Sequence, residues 1–295
     1  MATITTTAGP VTRRKRVTSS SAGGQQRAGR LTYILIGIIT LISMFPLYWT
    51  LVAGSHTNAE MAASPPPILP TGSFFHNLSL AMQRQDLWKA LLNSTIVASV
   101  VALSNVLFCT LAGFAFAKLR FKGSNILLML VVGTLMVPLQ VGIVPLFMLA
   151  AKYHMIGHLQ AAIAPYLVSA FGVFLLRQYL LAALPTELVE AGWVDGASTF
   201  RIFRSIVLPI ARPAMAVLAM FQFLYAWNDF FWPILVLNNR NPTVQVALNG
   251  MGTGYIPQTA VIMAATFFVT LPVLVAFGFL GKQIVGGIMQ GAVKG

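Results

Sequence analysis

The chain has 295 residues, 57% of them hydrophobic and only 8% charged, with a mean hydropathy of +0.79 and a formal net charge of +13. Soluble domains carry about a quarter charged residues, so this composition excludes a soluble enzyme or binding module and marks lipid as the solvent. The single cysteine, Cys109, rules out an internal disulfide, argues against thiolate metal ligation and is expected to be a small core residue.

Residues 1–30 are rich in Ser, Thr, Gly and Arg without apolar periodicity, and are expected to form a disordered tail. The run Arg13-Arg14-Lys15-Arg16 is either a nucleic-acid or localisation patch, or a basic cluster that orients the next span and attracts anionic lipid. Its place ahead of a span favours the second. Charge-free runs of membrane-crossing length follow: 29 residues between Arg30 and Glu60, 28 between Lys89 and Lys118, 29 between Lys122 and Lys152, and 24 between Lys152 and Arg177. Each exceeds the roughly 20 residues needed to cross. The first, 31–53, is too long for an ordinary signal peptide and reads as an uncleaved helix, with Tyr48 and Trp49 at its outer interface.

Segment 54–86 is the first outer segment, where Ser64-Pro65-Pro66-Pro67 and Leu69-Pro70 force extended backbone. Residues 82–91 are expected to lie along the interface before Asn93-Ser94 enters the second span, near 91–117. Ala112, Gly113, Ala115 and Ala117 thin one end of that span, so that another helix approaches closely. The third span, near 124–150, holds Pro138, Gln140, Gly142 and Pro145, so its middle cannot be regular helix. Broken backbone at membrane depth is tolerated only against protein or a watery cavity. Gln140 is therefore either near a substrate path or polar glue to a neighbouring helix. His154 and His158 share a helical face at metal-ligand spacing, but no acidic residue or cysteine nearby completes a site, so interfacial polar residues are expected. The fourth span is placed near 160–181, the fifth near 207–229 and the sixth near 259–280, where Pro272 is expected to bend the helix. Residues 283–295 are a C-terminal tail, and 87–282 form the core.

With the N-terminus inside, inner segments hold fifteen of the lysines and arginines and outer segments only four, which puts both termini in the cytoplasm. The same assignment puts a polar island, 184–206, between the fourth and fifth spans on the inner side. Three of the chain's six acidic residues, Glu187, Glu190 and Asp195, lie there with Arg201 and Arg204. Pro185 suits a first helical position, and the two glutamates follow where the helix dipole favours carboxylates. Asp195-Gly196 is a turn pair in which glycine takes positive φ. Helical spacing then resumes, with Phe200, Phe203, Ile206 and Val207 expected on one side. Such a helix pair is read as a plug for a partner's groove, the alternative being a folded surface loop.

The run Glu190-Ala191-Gly192-Trp193-Val194-Asp195-Gly196-Ala197, followed by Phe200, Ile206, Leu208-Pro209 and Pro213, resembles the "EAA" coupling loop of ABC importer permeases. It departs from the usual form at Gly192, where the family has alanine; glycine is expected to loosen the first helix by roughly 1 kcal/mol. A second segment, Trp227-Asn228-Asp229-Phe230-Phe231-Trp232-Pro233, is similar to the W-N-D-F-x-W-P of the sugar-importing branch. Its Asp229 is costly near a bilayer unless it meets water, a hydrogen-bond partner or a cation. It is read either as direct sugar contact through aromatic faces and hydrogen bonds, or as an aromatic belt capped by a structural Asn-Asp pair. The terminus Gly291-Ala292-Val293-Lys294-Gly295 is similar to that of permeases for sugars and glycerol phosphate.

The resemblance implies an all-α, six-span membrane protein of the type I importer architecture in a prokaryotic cell membrane. Its implied partners are a second permease subunit, two ATPase subunits and an extracytoplasmic substrate-binding protein, besides membrane lipid and without nucleic acid. Coupling residues are expected at Glu187, Glu190, Ala191, Gly192, Asp195, Gly196, Ala197, Phe200 and Arg201. The translocation path is expected at Asn105, Gln140, Trp227, Asn228 and Asp229. No GxxxxGK[ST] occurs: around Gly281-Lys282, Ala276 and Gln283 occupy the decisive positions. No catalytic pair, metal site or cofactor loop is evident, so ATP and Mg are expected on the partner ATPases and this chain is not itself an enzyme. The alternatives are an ion-coupled secondary transporter, against which stands the absence of a detectable internal repeat, and an ABC permease for a non-sugar solute such as glycerol phosphate.

Overall fold

A computed structural model describes residues 29–252 and 258–292. Residues 1–28 and 253–257 and the final three, Val293-Lys294-Gly295, lie outside the described residues. The chain divides into two units, Met1–Phe45 and Pro46–Gly295. In the first, the described residues begin a helix whose apolar side chains, from Leu31 to Phe45, are mostly exposed, as a lipid-facing segment requires.

In chain order the α-helices are α1 (Arg30–Gly54), α2 (Asn58–Met61), α3 (Phe74–Arg84), α4 (Leu87–Lys118), α5 (Ser124–Gly133), α6 (Ile143–Lys152), α7 (Leu159–Ile163), α8 (Ala170–Ala183), α9 (Thr186–Val194), α10 (Thr199–Ile202), α11 (Leu208–Asn228), α12 (Phe231–Val236), α13 (Val244–Gly252) and α14 (Thr259–Ala292). No strand occurs among the described residues. Four stretches are long and apolar enough to cross a membrane singly: α1, α4, Thr199–Asn228 and Thr259–Gly278. Two bent pairs raise the count to as many as six. Ser124–Met136 and Gln140–Lys152 meet at 88°, and Leu159–Tyr166 and Ala170–Ala183 at 42°.

The 88° break falls at Val137-Pro138, where the cluster of Pro138, Gln140, Gly142 and Pro145 predicts it. The 42° break bends the span that the sequence places near 160–181. Pro165 leaves no backbone donor there, and Ser169 restarts the helix by accepting a hydrogen bond from the Gly172 N–H at 3.0 Å. Two expectations change. Residues 82–91 are not one interfacial segment: α3 ends at Arg84, and Asp86 caps α4 by accepting from the Lys89 N–H at 3.0 Å. Helix α14 runs through Pro272 to Ala292, so most of 283–295 is helical rather than a separate tail.

Helix α4 is central to the second unit, packing along α8 and α11, while α14 packs on α3 and α11. Two core clusters result. One gathers Leu87, Val97, Val101, Trp227, Trp232, Val244 and Val261. The other gathers Cys109, Phe114, Leu176, Val189, Ile202, Val207 and Leu218 at the hairpin end. Between spans, lipid is as apolar as a leucine, so close packing and polar bonds hold helices together. The α4–α8 contact has both. A Cβ on Gly113 would stand 2.8 Å from Leu176 Cβ and 2.9 Å from the Arg177 backbone nitrogen, and one on Gly172 would stand 2.7 Å from Cys109 Sγ. The small residues thus admit the neighbouring helix as their spacing predicts, and Cys109 is buried and free.

Polar bonds pin the opposite end. Asn93 Nδ2 donates to Pro242 O at 2.8 Å, Ser94 Oγ accepts from the Val244 N–H at 2.9 Å, and Trp232 Nε1 donates to Ala161 O at 2.8 Å. The first two anchor the segment after α12, whose helix α13 buries Val244, Val246, Ala247 and Met251. Gly250 serves there as a close contact, since a Cβ would lie 2.9 Å from Gln85 Nε2.

Candidate functional site

Two regions carry chemistry. The first is the hairpin of α9 and α10. Pro185 stands before α9 as its N-cap rather than within it, and Glu187 occupies the first turn. The helix ends in a doubly bonded turn: the Gly196 N–H donates to Trp193 O at 3.0 Å and the Ala197 N–H to Gly192 O at 2.9 Å. This is a Schellman arrangement, which requires a left-handed residue after the cap. Gly196 supplies it at φ +75. Ser198 then caps α10 by accepting from the Arg201 N–H at 3.3 Å.

Gly192 does more than loosen α9. A Cβ there would lie 3.1 Å from both Cγ1 and Cδ1 of Ile202, so the glycine lets the two helices close on each other. Ile202, Phe203 and Val207 are buried and Ile206 is half-buried, but Phe200 is 70% exposed, which corrects the expectation that it shares their face. Phe200 precedes the buried Ile202 by two residues, about 200° around a helix, and so faces outward. Val194 at 88%, Leu188 at 45% and Trp193 at 41% are exposed apolar side chains of the same hairpin. Glu187, Glu190, Ala191, Asp195 and Arg201 are exposed as well, and Ala197 is half-buried. Behind the hairpin the chain winds through a π-helical turn, Phe203–Val207, into α11. Pro209 and Pro213 offer no N–H to the carbonyls four residues earlier, and a widened turn accommodates that loss. Lys118 Nζ ties α4 to the start of the hairpin by donating to Thr186 Oγ1 at 3.1 Å.

The second region lies between the two broken spans and α11. A cavity of about 530 Å³ is bounded by Thr134, Leu135 and Val137 from the first break, Pro165, Tyr166 and Ser169 from the second, and Phe221, Gln222 and Tyr225 from α11. Beside it, a small pocket brings Gln140 together with Tyr166, Tyr225 and Asp229, and an open groove brings Asn228 and Asp229 together with Phe221 and Phe231. Tyr166 and Tyr225 meet edge to face, ring centroids 5.4 Å apart. The Tyr166 hydroxyl and the N–H groups of Phe231 and Trp232 face the Asp229 carboxylate, whose Oδ2 is buried without a hydrogen-bond partner among the described residues.

The five residues expected on the path therefore divide. Gln140, Asn228 and Asp229 line cavities. Trp227 is buried and stacks on Phe223 at 5.7 Å, so it belongs to the core. Asn105 is fully buried and donates to Tyr166 O at 2.6 Å and Val101 O at 3.0 Å, bracing the break in the fourth span. Sequence reasoning missed Tyr166, Ser169, Gln222 and Tyr225. A signal existed in α11, since Gln222, Tyr225 and Asp229 recur at helical spacing. For Tyr166 and Ser169 it lay only in the neighbouring Pro165. His154 and His158 do not share a helix face: they flank a turn between α6 and α7 in which His154 has φ 55 and Gly157 has φ 83. No group of metal-ligating side chains occurs among the described residues.

Comparison with known proteins agrees with this geometry. The family described as "Binding-protein-dependent transport system inner membrane component" matches residues 109–286. The arabinooligosaccharides transport system permease protein AraQ of Halalkalibacterium halodurans is 30% identical over 269 residues, covering 90% of this chain and 96% of the relative. The sn-glycerol-3-phosphate transport system permease protein UgpE of Salmonella typhi is 31% identical, covering 88% and 94%. The lactose transport system permease protein LacG of Rhizobium radiobacter is 30% identical, covering 89% and 95%. A bacterial ABC transporter involved in the import of the acidic polysaccharide alginate contains a chain of the same fold, with TM-score 0.72 at 18% identity, covering 85% of this chain and 94% of that one. An apolar, all-helical chain matched over most of its length in this way belongs to the inner membrane permease components of binding-protein-dependent ABC importers, which are not themselves catalytic.

Proposed function

We propose that this permease carries a sugar or sugar-like solute and that the α9–α10 hairpin is the element through which partner ATPases drive it. The observation that carries the reading is the hairpin itself, a rigid turn set by Gly196 that holds Val194 and Phe200 out from the chain. With the fifth span taken to begin near 207, after the hairpin, apolar side chains this exposed ahead of it suit a partner's groove, with Glu187, Glu190, Asp195 and Arg201 at the rim for polar contacts. Six spans, with both bent pairs crossing, put the hairpin and both termini on the cytoplasmic side by the excess of lysine and arginine there. The assembly is this chain, a second permease, two ATPase subunits that bind ATP and Mg, and an extracytoplasmic binding protein. Closure of the ATPases around nucleotide moves the hairpin and rocks the spans. The bias is limited by the difference in nucleotide affinity between the open and closed states.

Support for a sugar comes from relatives that carry arabinooligosaccharides and lactose and from aromatic and amide groups around the cavity at Tyr166 and Tyr225. The glycerol-phosphate relatives keep a second reading open, a phosphate ester as solute. Radiolabelled uptake into proteoliposomes holding the whole complex tests the function. Vanadate-sensitive uptake that needs the binding protein supports it, and uptake by this chain alone on a proton or sodium gradient overturns it.

A further inference from the structure

We propose that this subunit itself contains the solute site and that Asp229 selects uncharged, polyhydroxylated solutes over anionic ones. The proposal rests on the importer reading above and adds the chemical class of the solute. Three cavities share walls: the cavity lined by Ser169 and Gln222 meets the small pocket at Tyr166 and Tyr225, and the open groove joins them at Phe221, Tyr225 and Asp229. At about 530 Å³ the first of these is within the size of sites that enclose small ligands. Its polar groups are held in place. Gln222 Nε2 donates to Ser169 Oγ at 2.7 Å, and the same Oγ caps α8.

Asp229 Oδ2 supplies the selectivity. Asp229 lines both the small pocket and the open groove, its Oδ2 has no hydrogen-bond partner among the described residues, and an acceptor left so is unfavourable until a donor arrives. A sugar hydroxyl is such a donor, while the faces of Phe171, Phe221 and Tyr225 suit the apolar faces of a sugar ring. A phosphate or carboxylate brings only acceptors and a like charge. Among the described residues, no lysine, arginine or histidine lines any of the three cavities to offset that charge. The pathway therefore fits a neutral sugar and opposes its phosphate ester.

The test uses the complete complex in nanodiscs, without nucleotide or binding protein, and measures calorimetrically the dissociation constants of lactose, arabinobiose and glucose, each against its phosphate monoester. Wild type should bind at least one neutral sugar at least tenfold tighter than its ester. Asp229→Asn, which keeps the shape and removes the charge, should narrow that ratio about tenfold, and Tyr225→Phe should weaken the neutral sugar and leave the ratio alone. An ester bound as tightly as its sugar, or a ratio unmoved in Asp229→Asn, overturns the selectivity. If none of these sugars binds while loaded binding protein still stimulates ATP hydrolysis, the site assignment falls and the importer reading stands. Loss of that stimulation in the wild-type complex would instead sink the importer reading.

Discussion

Replacing Gly196 by valine tests the hairpin at its most constrained residue. Its φ of +75 is a left-handed conformation, and no other atom lies within 4 Å of a built Cβ, so the cost of a side chain there is set by the backbone alone. For an ordinary L-residue that cost is about 1–2 kcal/mol, and a β-branched side chain takes the upper end. Escaping it means abandoning the turn, which removes the bonds from the Gly196 and Ala197 N–H groups to Trp193 O and Gly192 O, each contributing about 1 kcal/mol. A penalty of about 2 kcal/mol shifts the ordered hairpin roughly 30-fold toward disordered alternatives. Only the ordered fraction docks, so coupling falls with it. Gly196→Asn is the control, because asparagine tolerates the left-handed region. In proteoliposomes with the whole complex, Gly196→Val should abolish most binding-protein-stimulated uptake while complex assembly in detergent is retained, and Gly196→Asn should keep most of it. Equal uptake by the valine variant, or equal loss in both, would refute the reasoning.

The remaining predictions concern packing and capping. Gly113→Ala places a methyl 2.8 Å from Leu176 Cβ against backbone that cannot yield, so thermal unfolding of the purified subunit should show a loss of about 1–3 kcal/mol; wild-type stability would contradict the α4–α8 contact. Gly192→Ala should impair coupling through Ile202, and adding Ile202→Val, which shortens the side chain it meets, should restore it; two independent, additive losses would argue against a shared contact. Thr57 and Glu60 form a capping box on α2, and the Thr57 N–H holds the Glu60 carboxyl below its usual range. A lowered folded pKa means that the stabilisation is present at neutral pH, above the unfolded value, and is lost as pH falls through the folded one. Amide exchange at Thr57, whose N–H donates to the Glu60 carboxylate, should therefore quicken in acid beyond its intrinsic rate in wild type but not in Glu60→Gln, and parallel behaviour of the two proteins would remove the capping account.

What the residues disclose on their own depends on whether the cause is local. The turn at Asp195-Gly196 and the break at Pro138 follow from the conformational limits of glycine and proline, and both stand where the sequence puts them. Gly113 likewise announces a close approach, though not the helix it meets. Apolar periodicity fails inside a membrane protein because lipid-facing and core-facing positions are equally oily. Trp227 and Asp229 are two residues apart in one motif, yet one packs into the core and the other lines a cavity. For the same reason Phe200 reads as core and stands exposed. The pairing of Tyr166 with Tyr225 joins residues far apart in sequence through the bend at Pro165, and only the assembled helices bring them together.

The hairpin's role as the contact to the ATPase is tested most directly by disulfide trapping in the assembled complex. With the buried Cys109 replaced by serine, single cysteines at Val194 and Phe200, both highly exposed, should cross-link to cysteines introduced along the surface groove of the ATPase subunit, and a cysteine at Arg240 should not. Cross-linking through position 240, with positions 194 and 200 silent, would contradict the account.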